Sequence, residues 1–316
     1  MQQDYYIKGI TDDPRIHVNL EHLQRMQRFA RHISFLPKQP AGSVLNGQHA
    51  SKLRGRGLNF EELRHYQKGD DVRTIDWKVT ARTKEPYVRV YTEERDRPTL
   101  LLVDQRMSMF FGSEMNMKSV TAAESAALAA WRIRMQGDRV GGIVFSDDKV
   151  AEFTPKSSNV ALNRYLSALS NANCRLTPEF QPETKVSLNS VLQTAVRVAK
   201  TGMMILIFSD FHDIDEQSES LLRRLSAHND VLMFHITDPL STGLPENFNV
   251  VVSDGDLQAT LDASKSNTKE QFRNLAVSRD ERLALLERKY GLMVLPLTSA
   301  QNTEQQVLKL LSPEAR

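Results

Sequence analysis

Cysteine is almost missing from this sequence. Cys174 is the only one in 316 residues, which excludes an intrachain disulfide and a cysteine-built zinc cluster. No motif around it would activate a thiolate, so it reads as a small apolar filler. Long apolar runs are missing too. Nothing approaches the roughly 18 uninterrupted apolar residues that a bilayer-spanning helix needs, and the polar, acidic stretch from Met1 to Asp13 lacks the apolar centre of a signal peptide. The expectation is a cytoplasmic protein. Net charge is small, with 41 Lys and Arg against 39 Asp and Glu, and gives no general reason to expect nucleic acid or an anionic membrane as partner. What remains is ordinary globular composition, 40% hydrophobic and 25% charged. At this length a single core has usually stopped growing, so a large domain with a smaller lobe is expected.

Periodicity places the lobe first. Leu20, Leu23, Ala30 and Ile33, with Met26 and Phe29, recur at helical spacing between Val18 and Ile33, and Pro37 and Pro40 end that helix. Residues 42–97 are dense in charge and close on the strand-like Pro86-Tyr-Val-Arg-Val-Tyr91. We read residues 1–97 as an N-terminal lobe and residues 98–316 as an α/β domain. In the latter, short apolar runs (Thr99–Val103, Gly141–Phe145, Met203–Phe208, Val231–Ile236, Leu292–Leu295) alternate with helical patterns. Runs of this kind are strands buried on both faces, and their alternation with helices implies a mainly parallel, doubly wound, Rossmann-type sheet. Asn116 is placed to cap the first helix of this domain and Gly137 to end it. Asp254-Gly255 marks a hairpin.

In open α/β sheets, ligands gather beyond the carboxyl ends of the strands. Asp104 and Asp210 fall at such ends. The loop Asp104-Gln-Arg-Met-Ser108 contains no glycine, which argues against a dinucleotide enzyme or a P-loop NTPase. This layout resembles a von Willebrand factor A domain. That family binds a divalent ion through an Asp-x-Ser-x-Ser loop, a Thr and a further Asp. The resemblance maps Asp104, Ser108 and Asp210 onto metal ligands, with Mg2+ as the implied ion. Two positions depart from it: Arg106 replaces the first serine, and Val186 falls where the threonine should be, with Thr184 and Ser187 nearby. The metal-ion-dependent adhesion site that the resemblance implies is thus degenerate. If Asp104 and Asp210 end adjacent strands, two carboxylates at about 5 Å and an effective dielectric of about 20 repel by roughly 3 kcal/mol, so a cation belongs there. Arg106 is the candidate substitute, pairing with both acids; hydrated acids or a bound Mg2+ are the alternatives.

The densest motif runs from Gly55 to Arg82. Gly69 before Asp70 and Asp71 reads as a turn, and Ile75 and Trp77 as buried anchors. Arg64, Arg73 and Arg82 suit pairing with Asp70, Asp71 and Asp76. The motif is either a polar clasp to the α/β domain or a surface that recognises a partner. With its Gly-x-Gly, Arg64-x-Tyr66, Gly69-Asp70-Asp71-x-Arg73, Ile75-Asp76-Trp77 and Ala81-Arg82, it resembles the bacterial family catalogued as domain of unknown function 58. That resemblance implies a non-enzymatic adaptor, of the form without membrane helices, whose protein partner is a MoxR-type AAA ATPase in the assembly or maturation of other proteins.

Two other functions compete. A divalent-metal-dependent hydrolase would use Asp104, Asp210 and a histidine such as His212. Nucleic-acid binding would use Lys52, Arg54 and Arg56, but no aromatic residues for base stacking lie between them, and no such partner is expected.

Overall fold

The computed structural model describes residues 13–33, 58–67, 70–93, 97–178, 185–241, 249–253, 258–262 and 266–311. Lys52, Arg54, Arg56, Gly69 and the Asp254-Gly255 hairpin tip lie outside them. The chain divides into two compact units, Leu36–Asp96 and Met1–Phe35 with Arg97–Arg316. This corrects the expected lobe of residues 1–97. Its first helix belongs to the α/β unit because Leu23, Met26, Ala30 and Ile33 are buried in that unit's core. The helix is also shorter than its apolar spacing predicts. It runs Leu20–Arg25 (α1) and then tightens into 3-10 turns at Met26–Arg28 and Ala30–His32, where the Trp131 indole donates to the Leu23 carbonyl at 3.0 Å.

In the smaller unit, Leu58–His65 (β1) leads through Trp77–Thr83 (α2) to Tyr87–Glu93 (β2), and the two strands pair antiparallel. The larger unit continues with Thr99–Asp104 (β3), Lys118–Met135 (α3), Val140–Phe145 (β4), Val150–Lys156 (β5), Asn159–Cys174 (α4) and Leu188–Val198 (α5). Next come Met204–Ser209 (β6), Glu216–Ser226 (α6), Asp230–Thr237 (β7), the paired strands Asn249–Ser253 (β8) and Gln258–Asp262 (β9), Ser266–Tyr290 (α7), Met293–Thr298 (β10) and Thr303–Leu311 (α8).

The central sheet has the order β10-β7-β6-β3-β4-β5. All neighbours are parallel except β4 and β5. The chain leaves β3 toward β4 and returns on its other side at β6, so strand order reverses between β3 and β6, where ligand crevices form in such sheets. Alternation along β3 sorts the core: Leu101 and Val103 pack with α3, and Leu100 and Leu102 with α5 and α6. Helix α3 is buried almost throughout, Lys118 included, because α1, α4 and α8 cover the side turned away from the sheet. Its alanines line both sides, with Ala122, Ala126 and Ala129 as buried as Ala123, Ala127 and Ala130. Met117 takes the N-cap position without a side-chain bond, and the expected cap, Asn116, instead donates its amide to the Ser299 carbonyl at 2.9 Å. Gly137, at φ 90°, ends the helix as expected.

Candidate functional site

The strand-end acids sit at the switch point, on neighbouring strands but facing opposite ways. The pairing Val103↔Phe208 places Ser209 beside Asp104, and the Ser209 hydroxyl donates to Asp104 Oδ2 at 2.6 Å. Side chains alternate along a strand, so Asp104 shares the α5 and α6 face with Ile205 and Ile207, while Asp210 shares the α3 face with Leu206 and Phe208. Asp104 is 0% and Asp210 2% exposed. A buried carboxylate needs a positive partner or dense hydrogen bonding, and here each acid finds its own.

On the α5 side the partner is Arg106. Its Nε and Nη2 donate to Asp104 Oδ1 at 3.0 Å and Oδ2 at 2.7 Å. The other edge of the guanidinium reaches Asp213, Nη1 to Oδ2 at 2.7 Å and Nη2 to Oδ1 at 3.0 Å. Nη1 also lies 3.4 Å from the Val186 carbonyl, and the plane sits 5.4 Å from the Phe145 ring centroid. This doubly bidentate fork is the arrangement that suits arginine better than lysine. Burial alone would lower the Arg106 pKa, but the charges and hydrogen bonds of Asp104 and Asp213 raise it. Burial likewise opposes ionisation of Asp213, yet Arg106 holds its carboxyl below the usual range. The Leu188 amide, in the first turn of α5, adds a bond to Asp213 Oδ2 at 3.0 Å.

On the α3 side the partner is Lys118, whose Nζ donates to Asp210 Oδ2 at 2.6 Å. Burial works against the Asp210 charge, but Lys118 and His212 bring its pKa well below the ordinary value. His212 Nδ1 lies 3.6 Å from Asp210 Oδ1 and 3.5 Å from Asp213 Oδ1. Although burial disfavours its cation, these acids raise its pKa. Between Asp210 and His212, the buried Phe211 holds φ 51°, a left-handed conformation that non-glycine residues rarely adopt.

Arg106 pairs with Asp104 as expected, but its second acid is Asp213 and not Asp210, since strand alternation turns Asp210 to the other face. Lys118 and Asp213 went unrecognised. Ser108 is near, with its Oγ buried and without a hydrogen-bond partner among the described residues. Asp147, two residues past β4, accepts the Met107 amide at 2.6 Å, and burial pushes its pKa up.

These residues do not fit the divalent ion that the degenerate motif implies. Both Asp104 oxygens accept from Arg106, and Asp210 accepts from Lys118. The segment where the resemblance expects a threonine directs the Val186 carbonyl at Arg106, while the Ser187 hydroxyl accepts the Ser190 amide at 3.3 Å as the cap of α5. Among the described residues, no three His, Cys, Asp or Glu side chains converge to hold a metal. Hard cations need unengaged oxygens, and here side-chain cations engage them.

The signature residues of the smaller unit behave differently. Arg64 pairs with Asp70 in a bidentate fork, Nη1 to Oδ2 at 2.8 Å and Nη2 to Oδ1 at 2.7 Å, and this hydrogen bonding lowers the Asp70 pKa. Asp71 accepts the Arg73 amide at 3.0 Å. Asp76 accepts the Lys78 and Val79 amides at 3.0 and 3.2 Å as the N-cap of α2. The Tyr66 amide donates to the Pro86 carbonyl at 2.8 Å. Arg73 and Arg82 are exposed. So is Trp77, at 68%, which corrects the expectation of a buried anchor. The cap residue Asp76 turns inward and the first helical residue, Trp77, turns out. Val72 is 58% exposed.

Comparison with known proteins adds the family. The chain is 28% identical over 250 residues to the uncharacterized protein Rv1480 of Mycobacterium tuberculosis, covering 79% of this chain and 74% of the relative. The uncharacterized protein Mb1516 of Mycobacterium bovis matches to the same extent. Among solved structures, the conserved hypothetical protein BatB from Bacteroides thetaiotaomicron is similar over 68% of this chain and 98% of its own, at 11% identity and a TM-score of 0.39. Residues 62–282 match the family described as protein of unknown function DUF58, and the chain belongs to it.

Proposed function

We propose that this protein is a cytoplasmic, non-enzymatic adaptor whose larger unit is a von Willebrand factor A-like domain with a degenerate adhesion site. It works with a MoxR-type AAA ATPase in the assembly or maturation of other proteins. The observation that carries this reading is the exposure of Trp77, 68% open to solvent within the densest family motif. A large exposed aromatic flanked by cations (Arg73, Lys78 and Arg82 are all exposed) is the composition of a binding hot spot. Trp77 needs no role in the fold to be where it is, since the Asp76 carboxylate already caps α2 by accepting the Lys78 and Val79 amides. The strand-end crevice supports the same reading from the other side. Its acids are tied to Arg106 and Lys118, which suits holding a shape more than moving protons.

The test is co-purification of the full chain with the MoxR-type ATPase of the same organism, with and without ATP. A stoichiometric complex, weakened at least tenfold by Trp77→Ala, is the expected result. Failure to associate in any nucleotide state contradicts the partnership. Phosphatase or nuclease turnover with Mg2+ or Mn2+ that is lost in Asp210→Asn contradicts the non-enzymatic reading and favours a hydrolase.

A further inference from the structure

We infer that the Arg106 guanidinium stands in the place of a divalent cation, so that deleting it turns the α5 side of the crevice into a Mg2+- or Mn2+-binding site that the natural protein lacks. This does not depend on the adaptor role.

Arg106 makes its side-chain hydrogen bonds to oxygen alone. Its partners are both oxygens of Asp104, both of Asp213 and the carbonyl of Val186. Carboxylate pairs and a backbone carbonyl are what magnesium and manganese take as protein ligands, with water completing the shell. Here a planar cation with five N–H donors satisfies the same set. Charge makes the substitution tight. Asp104 is fully buried and Asp213 partly so, its side chain 27% exposed, and both bond to one guanidinium. Without it the two carboxylates would lose the cation they share, and like charges held this near repel. A small divalent ion removes that repulsion more completely than a single positive charge.

The ligand set differs from the one the adhesion motif would use. Asp210 is on the opposite face with its own cation, Lys118, and takes no part. Asp213 supplies the second carboxylate, held in place by the Leu188 amide at 3.0 Å and so still positioned when Arg106 is gone. The Ser209 hydroxyl, 2.6 Å from Asp104 Oδ2, fixes the first.

The experiment is a thermal-melting titration of the full chain with Mg2+ and Mn2+, with Mn2+ binding read in parallel by electron paramagnetic resonance. It uses the natural protein, Arg106→Ala and the nearly isosteric Arg106→Gln. The natural protein should show no metal-specific shift. Each variant should melt lower without metal and gain a rise of about 3 °C at ten times its Kd that keeps growing with the logarithm of metal concentration, and Asp213→Asn in the same background should abolish that rise. If a variant is unfolded without metal, recovery of its far-ultraviolet circular dichroism on adding Mg2+ supports the inference equally. Saturable Mn2+ binding by the natural protein that Asp104→Asn removes would overturn it. So would variants that fold and take up no metal, or that recover no structure even in excess Mg2+.

Discussion

In the strand-end crevice, Asp104, Arg106, Lys118 and Asp210 are all at most 8% exposed, and the positive side chains are held by carboxylates at 2.6–3.0 Å. In the smaller unit, Arg73, Lys78, Arg82 and Trp77 face solvent while Asp71 and Asp76 bind backbone amides. The same residue types thus serve opposite ends. Where water is excluded, a charge without a partner is too costly to keep, and pairing becomes part of the fold. Where water remains, pairing adds little, and cations beside an exposed indole are available to something else.

The largest expected effect follows from burial. Asp104→Ala leaves the guanidinium of Arg106 with only one of its carboxylates in a buried site, and should lower unfolding stability by about 3–5 kcal/mol. Lys118→Met, which leaves the buried Asp210 with His212 as its remaining positive neighbour, should act in the same range. Urea unfolding at neutral pH reads both. Losses no larger than that of Arg64→Ala, whose pair with Asp70 lies in the smaller unit and should contribute below about 1 kcal/mol, would erase the distinction between the regions.

Acid sensitivity comes next. His235 on β7 is buried beside Arg279, and burial first, then that cation, push its pKa from 6.5 down to about 4. The unfolded chain therefore binds the extra proton first as pH falls below 6.5. Stability is lost progressively down to about pH 4, by about 3 kcal/mol in all. His212 shifts the opposite way. Its raised pKa adds stability below the ordinary histidine value, and this is lost as pH rises through the folded one. Melting measured from pH 7 to 4.5 should fall less steeply in His235→Asn than in the natural protein. An unchanged slope would mean that His235 is not buried neutral. A smaller effect, about 1 kcal/mol, is expected for Asp76→Ala, which removes the cap of α2.

The architecture was legible because parallel strands write themselves as short apolar runs. Those ending at Val103, Phe145, Phe208 and Ile236 are strands, and Asp104 and Asp210 fall at the ends of β3 and β6. The pairing of Arg106 with Asp104 was legible from the lost serine. Its second partner was not, because which face Asp210 takes depends on the register between β3 and β6, set by contacts 105 residues apart in sequence (Val103 with Phe208). Lys118 did leave a signal. It opens a helix whose alanines run all round, and a lysine on a helix with no solvent face must meet an acid. The ownership of α1 was hidden, since its apolar stripe announces burial without saying against what. Trp77 was misread because an aromatic is buried more often than not, and only its position directly after the cap turns it outward.

The most direct measurement is the affinity of the proposed ATPase partner for the natural protein and for Trp77→Ala, with the melting temperatures of both. An exposed residue should change stability by no more than about 0.5 kcal/mol, while a hot-spot indole should carry at least about 1.4 kcal/mol of binding, a tenfold change in Kd. Equal melting with affinity reduced tenfold or more is the predicted result. Unchanged affinity, or a loss matched by unfolding of the variant, would contradict it.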